Sequence, residues 1–131
     1  MRIEISSNTA HVGSIVIDSN EMGWLYKGEE IMGRIEVDWG GENQEHMASI
    51  FIHGDCLATI TLDRYGKSIG KINRGFSEIG RVEPAGSGVC SVFKGSDIVG
   101  RLESKDSNIS MKHIILFGGV GAAVLLGIST S

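Results

Sequence analysis

A chain of 131 residues has room for one hydrophobic core and buries roughly two thirds of the surface its unfolded form exposes. Its composition, 41% hydrophobic and 21% charged with a single proline, excludes a disordered tract, and a formal net charge of −4 argues against nucleic acid as the main partner, because neutralising phosphates needs a basic surface. The charge is uneven: residues 1–65 carry 4 Lys/Arg against 11 Asp/Glu, whereas residues 66–131 carry 8 against 5.

The opening residues Met1-Arg2-Ile3-Glu4-Ile5-Ser6 show no basic region followed by an apolar run, so no secretory signal is expected. Cys56 and Cys90 have no metal-ligand spacing. Both features lead to the expectation of a cytoplasmic setting with free thiols.

Glycine is the unusual component, at 19 residues, and it falls in a pattern. Val12-Gly13-Ser14-Ile15, Met22-Gly23-Trp24-Leu25 and Met32-Gly33-Arg34-Ile35 stand ten residues apart. After a longer separator at 38–45 come Met47-Ala48-Ser49-Ile50 and Leu57-Ala58-Thr59-Ile60. Then follow Ile69-Gly70-Lys71-Ile72, Ile79-Gly80-Arg81-Val82, Val89-Cys90-Ser91-Val92 and Val99-Gly100-Arg101-Leu102. A period of ten suits a strand of six or seven residues and a short turn, and separators such as Lys27-Gly28-Glu29, His53-Gly54-Asp55, Arg64-Tyr65-Gly66-Lys67, Asn73-Arg74-Gly75 and Lys94-Gly95-Ser96 have turn chemistry. The fold expected is mainly β: an antiparallel meander of about nine to eleven short strands over residues 1–105.

Alternation puts each small residue on the same face as the aliphatic two positions later, and that face is the expected interior. The other face carries Arg34 and Glu36, Lys71 and Asn73, Arg81 and Glu83, and Arg101 and Glu103, which is a solvated surface. Glycine within a strand marks a bulge, a bend or a close approach. A row of small residues at one level favours the last, with something wide lying along that face.

Residues 106–110 read as a linker and 111–131 as a hydrophobic helix, with no charge from Ile114 to Ile128. Gly119-Val120-Gly121 is not a dinucleotide fingerprint, since the third glycine is missing. Two readings remain: a helix filling a barrel closed by the meander, or a β-sheet or β-solenoid domain tail-anchored by a single membrane pass through 114–131, its N-terminal domain cytoplasmic.

A meander of recurrent Ile-Gly-x-Ile strands that ends in a hydrophobic helix resembles the tubby-like barrels of tubby proteins, phospholipid scramblases and LURP-one-related proteins. The resemblance spans the whole chain as an architecture, and none of the lipid-binding or metal-binding residues of those families is matched here. It implies a barrel of about twelve strands around a buried C-terminal helix, and a small non-enzymatic binding or scaffold module.

Met22, Trp24 and Tyr26 form an apolar stripe on the outer face of the second strand, with Trp39 in the nearby loop, and read as a surface for a protein partner or self-association. Lys67, Lys71, Arg74, Arg81, Lys94, Arg101 and Lys105 read as a surface for anionic lipid or an acidic partner. His53, Asp55 and Cys56 are close in sequence, but alternation places Cys56 inside beside Ala58, where a thiol is a small hydrophobe. His11, His46, His53 and His113 lack zinc spacing, and Asp55 and Asp63 read as solvated turn residues. No cofactor is expected.

Overall fold

A strand with one wet face must alternate buried with less buried side chains, and the copies of the small-residue pattern from Met47-Ala48-Ser49-Ile50 onward do so. The computed structural model describes residues 1–40, 45–62 and 69–128, and forms ten strands. They are β1 (Arg2–Ser7), β2 (His11–Ile17), β3 (Gly23–Lys27), β4 (Glu30–Asp38), β5 (His46–Ile52), β6 (Asp55–Leu62), β7 (Gly70–Arg74), β8 (Ser77–Gly86), β9 (Val89–Lys94) and β10 (Asp97–Glu103). Each pairs antiparallel with its neighbours in the chain, and β1 pairs with β10 from Glu4↔Glu103 to Ser7↔Gly100, so the sheet closes into a barrel. Closure leaves no edge strand to template association with another sheet.

The turns at one end follow from their glycines. Gly28-Glu29, Gly75-Phe76 and Gly95-Ser96 have positive φ at the glycine only (64°, 62° and 64°), which is the type II′ pattern. His53-Gly54 has positive φ at both residues (53° and 84°), which is type I′. These tips and the Ser7–Ala10 turn make one end of the barrel. The other end carries the remaining connections and the entry of the helix.

In all five hairpins closed at the tip end, one extra residue is inserted in the second strand just before its small residue: Val12, Met32, Leu57, Ile79 and Val99. Each is apolar and partly buried against the core. A bulge of this kind adds twist and bends its strand, which helps a sheet curl shut. It also breaks the alternation that strict counting assumes. His11, Ile31, Cys56, Glu78 and Ile98, each just before a bulge, are exposed. The expectation that Cys56 faces the interior is therefore corrected: the bulge at Leu57 turns it outward, and the thiol is exposed.

Residues 111–125 form one helix, α1, built from Met111–His113, a stretch of wider π turns at Ile114–Gly118, and Gly119–Leu125. Every residue from Ile114 to Ala123 is buried. Its neighbours come from around the ring: Phe117 abuts Gly23, Ile115 abuts Gly70, Gly118 lies by Leu102, Gly119 by Ile60 and Val82, and Gly121 by Ile15 and Leu25. The core is thus the inner face of the sheet (Ile3, Ile5, Ile15, Leu25, Ile35, Ile50, Ile60, Ile72, Val82, Val92 and Leu102, all fully buried) packed on α1. Full burial of each large apolar side chain contributes about 1.5–3 kcal/mol, so Ile114, Ile115, Leu116, Phe117 and Val120 together make α1 a major part of the fold's stability.

The membrane-anchor alternative does not fit α1. No helix among the described residues is long and apolar enough to cross a membrane. At 1.5 Å per residue, α1 is about 22 Å long, short of a hydrocarbon core of about 30 Å, and its apolar sides are already taken by the strands. A solenoid is likewise excluded by the closed antiparallel pairing.

The small residues of the pattern have two causes. On β2, β4, β8 and β10, beside the bulges, a Cβ on Gly13, Gly33, Gly80 or Gly100 would lie 2.5, 2.8, 2.7 or 2.5 Å from the carbonyl oxygen of Tyr26, Phe51, Phe93 or Ser6 on the next strand. On β3 and β7, a Cβ on Gly23 or Gly70 would lie 2.6 Å from Phe117 or 2.5 Å from Ile115. The second group makes room for the helix. The first also lets one strand's backbone approach another's.

Candidate interaction surface

With the interior filled, the chemistry open to other molecules lies on the outer wall and at the two ends. Strand register sets out the wall from β2 to β6. Val16↔Trp24, Trp24↔Arg34, Arg34↔Phe51 and Phe51↔Cys56 are consecutive cross-strand pairs and form one continuous rung. One rung nearer the tips, Ser14 pairs with Tyr26 and Tyr26 with Ile31, and Ile31 is 57% exposed. Aromatic and β-branched residues suit a pleated surface, but here they stand on the solvent side.

Polar contacts hold this stripe in place. The Trp24 indole donates to Asp18 Oδ2 at 3.1 Å, and Asp18 Oδ1 accepts from the backbone N–H groups of Asn20 and Met22. These bonds, the indole's first, hold the Asp18 carboxyl below its ordinary pKa, so it stays ionised. The Arg34 guanidinium lies over the Phe51 ring at 5.0 Å and reaches Glu36 at 3.4 Å. A groove of about 420 Å³ lined by Arg2, Ser14, Val16, Tyr26, Gly28 and Glu29 runs beside the stripe. Arg2 is engaged with Glu4 at 2.6 Å and Ser14 at 3.1 Å. Partial burial alone would raise the Glu4 carboxyl, but its hydrogen bonds with Arg2 and His11 hold it below its ordinary pKa.

The other residues singled out for a partner surface separate in space. Met22 is half-buried just before β3, where its carbonyl accepts from Asp18 N–H at 2.9 Å. Trp39 packs at the end where α1 begins. Its ring lies edge-on to His46 at 5.2 Å and tilted against His113 at 5.1 Å, while His113 stacks on Phe117 at 5.9 Å. His46 Nδ1 lies 2.7 Å from the Trp39 carbonyl oxygen. The Ser110 hydroxyl caps α1 by accepting from His113 N–H, and His113 Nε2 meets Glu21 at 3.1 Å. Trp39 and two histidines thus cover the mouth of the barrel over the first turns of α1.

The basic residues spread along the wall from β7 to β10 and reach both ends. Lys71 pairs across strands with Arg81. Arg81 lies over Phe93 at 4.2 Å, pairs with Glu83 at 2.8 Å and donates to the Gly95 carbonyl at 2.8 Å. Arg101 reaches Glu103 at 3.7 Å. Arg74 and Lys94 stand at the tips, and Lys105 lies at the opposite end in a second groove with Arg2, Glu4, His11 and Asp106. Lys67 and Asp63 lie outside the described residues.

Cys90 is fully buried, and burial pushes its thiol up to about 12. Its Sγ touches Met111 Sδ at 3.2 Å, which is a packing role at the start of α1. His53 stands in the type I′ turn, and the Cys56 Sγ lies 3.7 Å from the Ala58 carbonyl oxygen. Among the described residues no group of three or more His, Cys, Asp or Glu is placed to hold a metal ion.

Sequence reasoning missed Phe51 and Ile31 as members of the stripe, and Phe76, which is fully exposed at a tip. A signal existed for Phe76, an aromatic directly after a turn glycine. None existed for Phe51, whose place beside Arg34 depends on the pairing of β4 with β5. Compared with known proteins, the chain matches no family model, no curated protein and no solved structure.

Proposed function

We propose that this chain is a small, non-enzymatic binding module of tubby-like barrel type that engages a protein partner through the outer wall of β2 to β5. One observation carries the reading: the chain fills its interior with its own helix and still carries half-buried Val16, Trp24, Tyr26 and Phe51 beside exposed Ile31 as neighbours on the outer wall. Isolated exposed apolar residues need no explanation, but a contiguous set marks a contact surface. Ten strands around a C-terminal helix support the tubby-like likeness in architecture, although those families carry about twelve.

A photo-crosslinking phenylalanine analogue substituted at Tyr26, and separately at Lys71 on the opposite wall, tests this in cells. The expected result is a discrete adduct from position 26 that excess unlabelled chain competes away, with none from position 71. Equal labelling from both positions, or no adduct from position 26, overturns the reading.

A further inference from the structure

Building on the outer-wall reading, we infer that the stripe takes a segment of a partner protein in which lysine or arginine is interspersed with apolar side chains.

The closed barrel constrains how any segment binds. An extended peptide commonly adds to a sheet edge and gains affinity from main-chain hydrogen bonds. Here β1 and β10 are paired and that mode is closed. Recognition must therefore come from side chains lying across the wall, and the wall's chemistry specifies them.

Four features agree on that chemistry. Val16 and Ile31 are apolar and solvent-facing, and the groove beside Val16 and Tyr26 gives apolar side chains somewhere to enter. Carboxylates lie on both sides of the stripe: Glu29 and Glu30 are exposed toward the tips, and toward the helix-entry end Asp18 and Glu36 already hold the Trp24 indole and Arg34. Arg34 is engaged with Phe51 and Glu36 and Arg2 with Glu4 and Ser14, while Lys27 at the end of β3 stands across from Glu30. Trp24 and Tyr26 add ring surfaces that attract ammonium and guanidinium groups. An acidic segment would meet repulsion from Glu29 and Glu30, and a purely apolar one would leave those two carboxylates unused. A second copy of this chain is a poorer occupant, because Arg81 and Arg101 on its basic wall are matched to Glu83 and Glu103.

The test uses the full chain and three short synthetic peptides: alternating Lys and Val, alternating Glu and Val, and alternating Lys and Ser. The Lys-Val peptide is expected to bind, with amide shifts centred on Val16, Tyr26, Gly28 and Glu29 and affinity that falls as salt rises. The double reversal Glu29→Lys/Glu30→Lys is expected to weaken binding by about tenfold or more, while Lys71→Glu leaves it unchanged. Tyr26→Ala, at a half-buried position on the outer face of the wall, is expected to abolish the shifts while keeping a cooperative thermal transition. Preference for the Glu-Val peptide, equal binding of all three, or indifference to the charge reversal overturns the inference. Concentration-dependent dimerisation lost in Tyr26→Ala also overturns it, assigning the stripe to a second copy. If the Tyr26 crosslink forms but no basic peptide binds, the partner chemistry falls and the wall reading stands.

Discussion

Gly70 on β7 faces Ile115 of α1 so closely that a Cβ on the glycine would lie 2.5 Å from the isoleucine Cγ2. One strand away, Gly80 has the same motif and a different neighbour: its Cβ would lie 2.7 Å from the Phe93 carbonyl oxygen, which belongs to a hydrogen-bonded strand. A side chain can be trimmed to relieve a clash, but a backbone oxygen cannot.

Gly70→Ala and Gly80→Ala are therefore expected to differ in how they are rescued. Each overpacks the wall and costs about 1–3 kcal/mol, with Gly80→Ala at the upper end. Ile115→Ala removes the nearest atom that Gly70→Ala would strike and leaves the Ile60 Cδ1, 2.7 Å away, at the far end of a flexible side chain. The double variant should be less destabilised than the sum of the singles, by about 0.5–3 kcal/mol in a double-mutant cycle. Ile115→Ala should give Gly80→Ala no such relief. Urea denaturation of the native chain, the three single variants and the two doubles measures this.

A chain ending at Ser110 is expected to lose the cooperative unfolding transition, since Ile114 to Ala123 are all buried within the barrel. A milder variant, Phe117→Ala, should cost about 3–5 kcal/mol because it empties space against Gly23 and His113. Near-UV circular dichroism and thermal melts report both. A truncated chain that melts like the full one would show that α1 is not the core.

The thiols should separate by accessibility. Native protein is expected to release one equivalent of a thiol reagent's chromophore quickly, from exposed Cys56, and a second only on unfolding, from Cys90. Burial holds the Cys90 thiol up at about 12 against an ordinary 9.0, so the native state keeps its proton where the unfolded state loses it. The unfolded chain then binds fewer protons above pH 9, and stability falls as pH rises. Between pH 8 and pH 10 the native protein should lose about 1.4 kcal/mol more than Cys90→Ala does, by urea titration at each pH.

Asp18 behaves in the opposite sense. Its carboxyl is held below the ordinary 3.8 by the Trp24 indole and the Met22 N–H, so the stability it contributes is present above that value and is lost as pH falls through the lowered one. Indole emission is expected to stay constant from neutral pH to about pH 5 and to shift only in stronger acid. Asp18→Asn should remove the acid step while keeping an acceptor for the backbone. A shift already complete at pH 5 would contradict the indole bond.

The strands were legible because local rules specify them. Small residues at ten-residue steps and turn glycines such as Gly28, Gly75 and Gly95 locate the hairpins without reference to anything distant. Cys56 shows where that stops. Counting by two puts it inside, and one extra residue at Leu57 puts it outside, because a bulge depends on how two strands pair. The stripe was half visible: Trp24 and Tyr26 lie on one strand and can be counted together, but Phe51 joins them only through the pairing of β4 with β5. Trp39, near them in sequence, turns instead to the mouth of the barrel to pack on His46 and His113.

Taken alone, the sequence determined that this protein is a meander of short strands with an apolar segment at its end, because period, turn chemistry and hydropathy are local properties. Only the tertiary structure decided where that segment goes. Hydropathy measures aversion to water and does not distinguish a bilayer from a barrel. Gly23 and Gly70, which leave room for Phe117 and Ile115, mark the difference, and their meaning appears only once the strands have closed around α1.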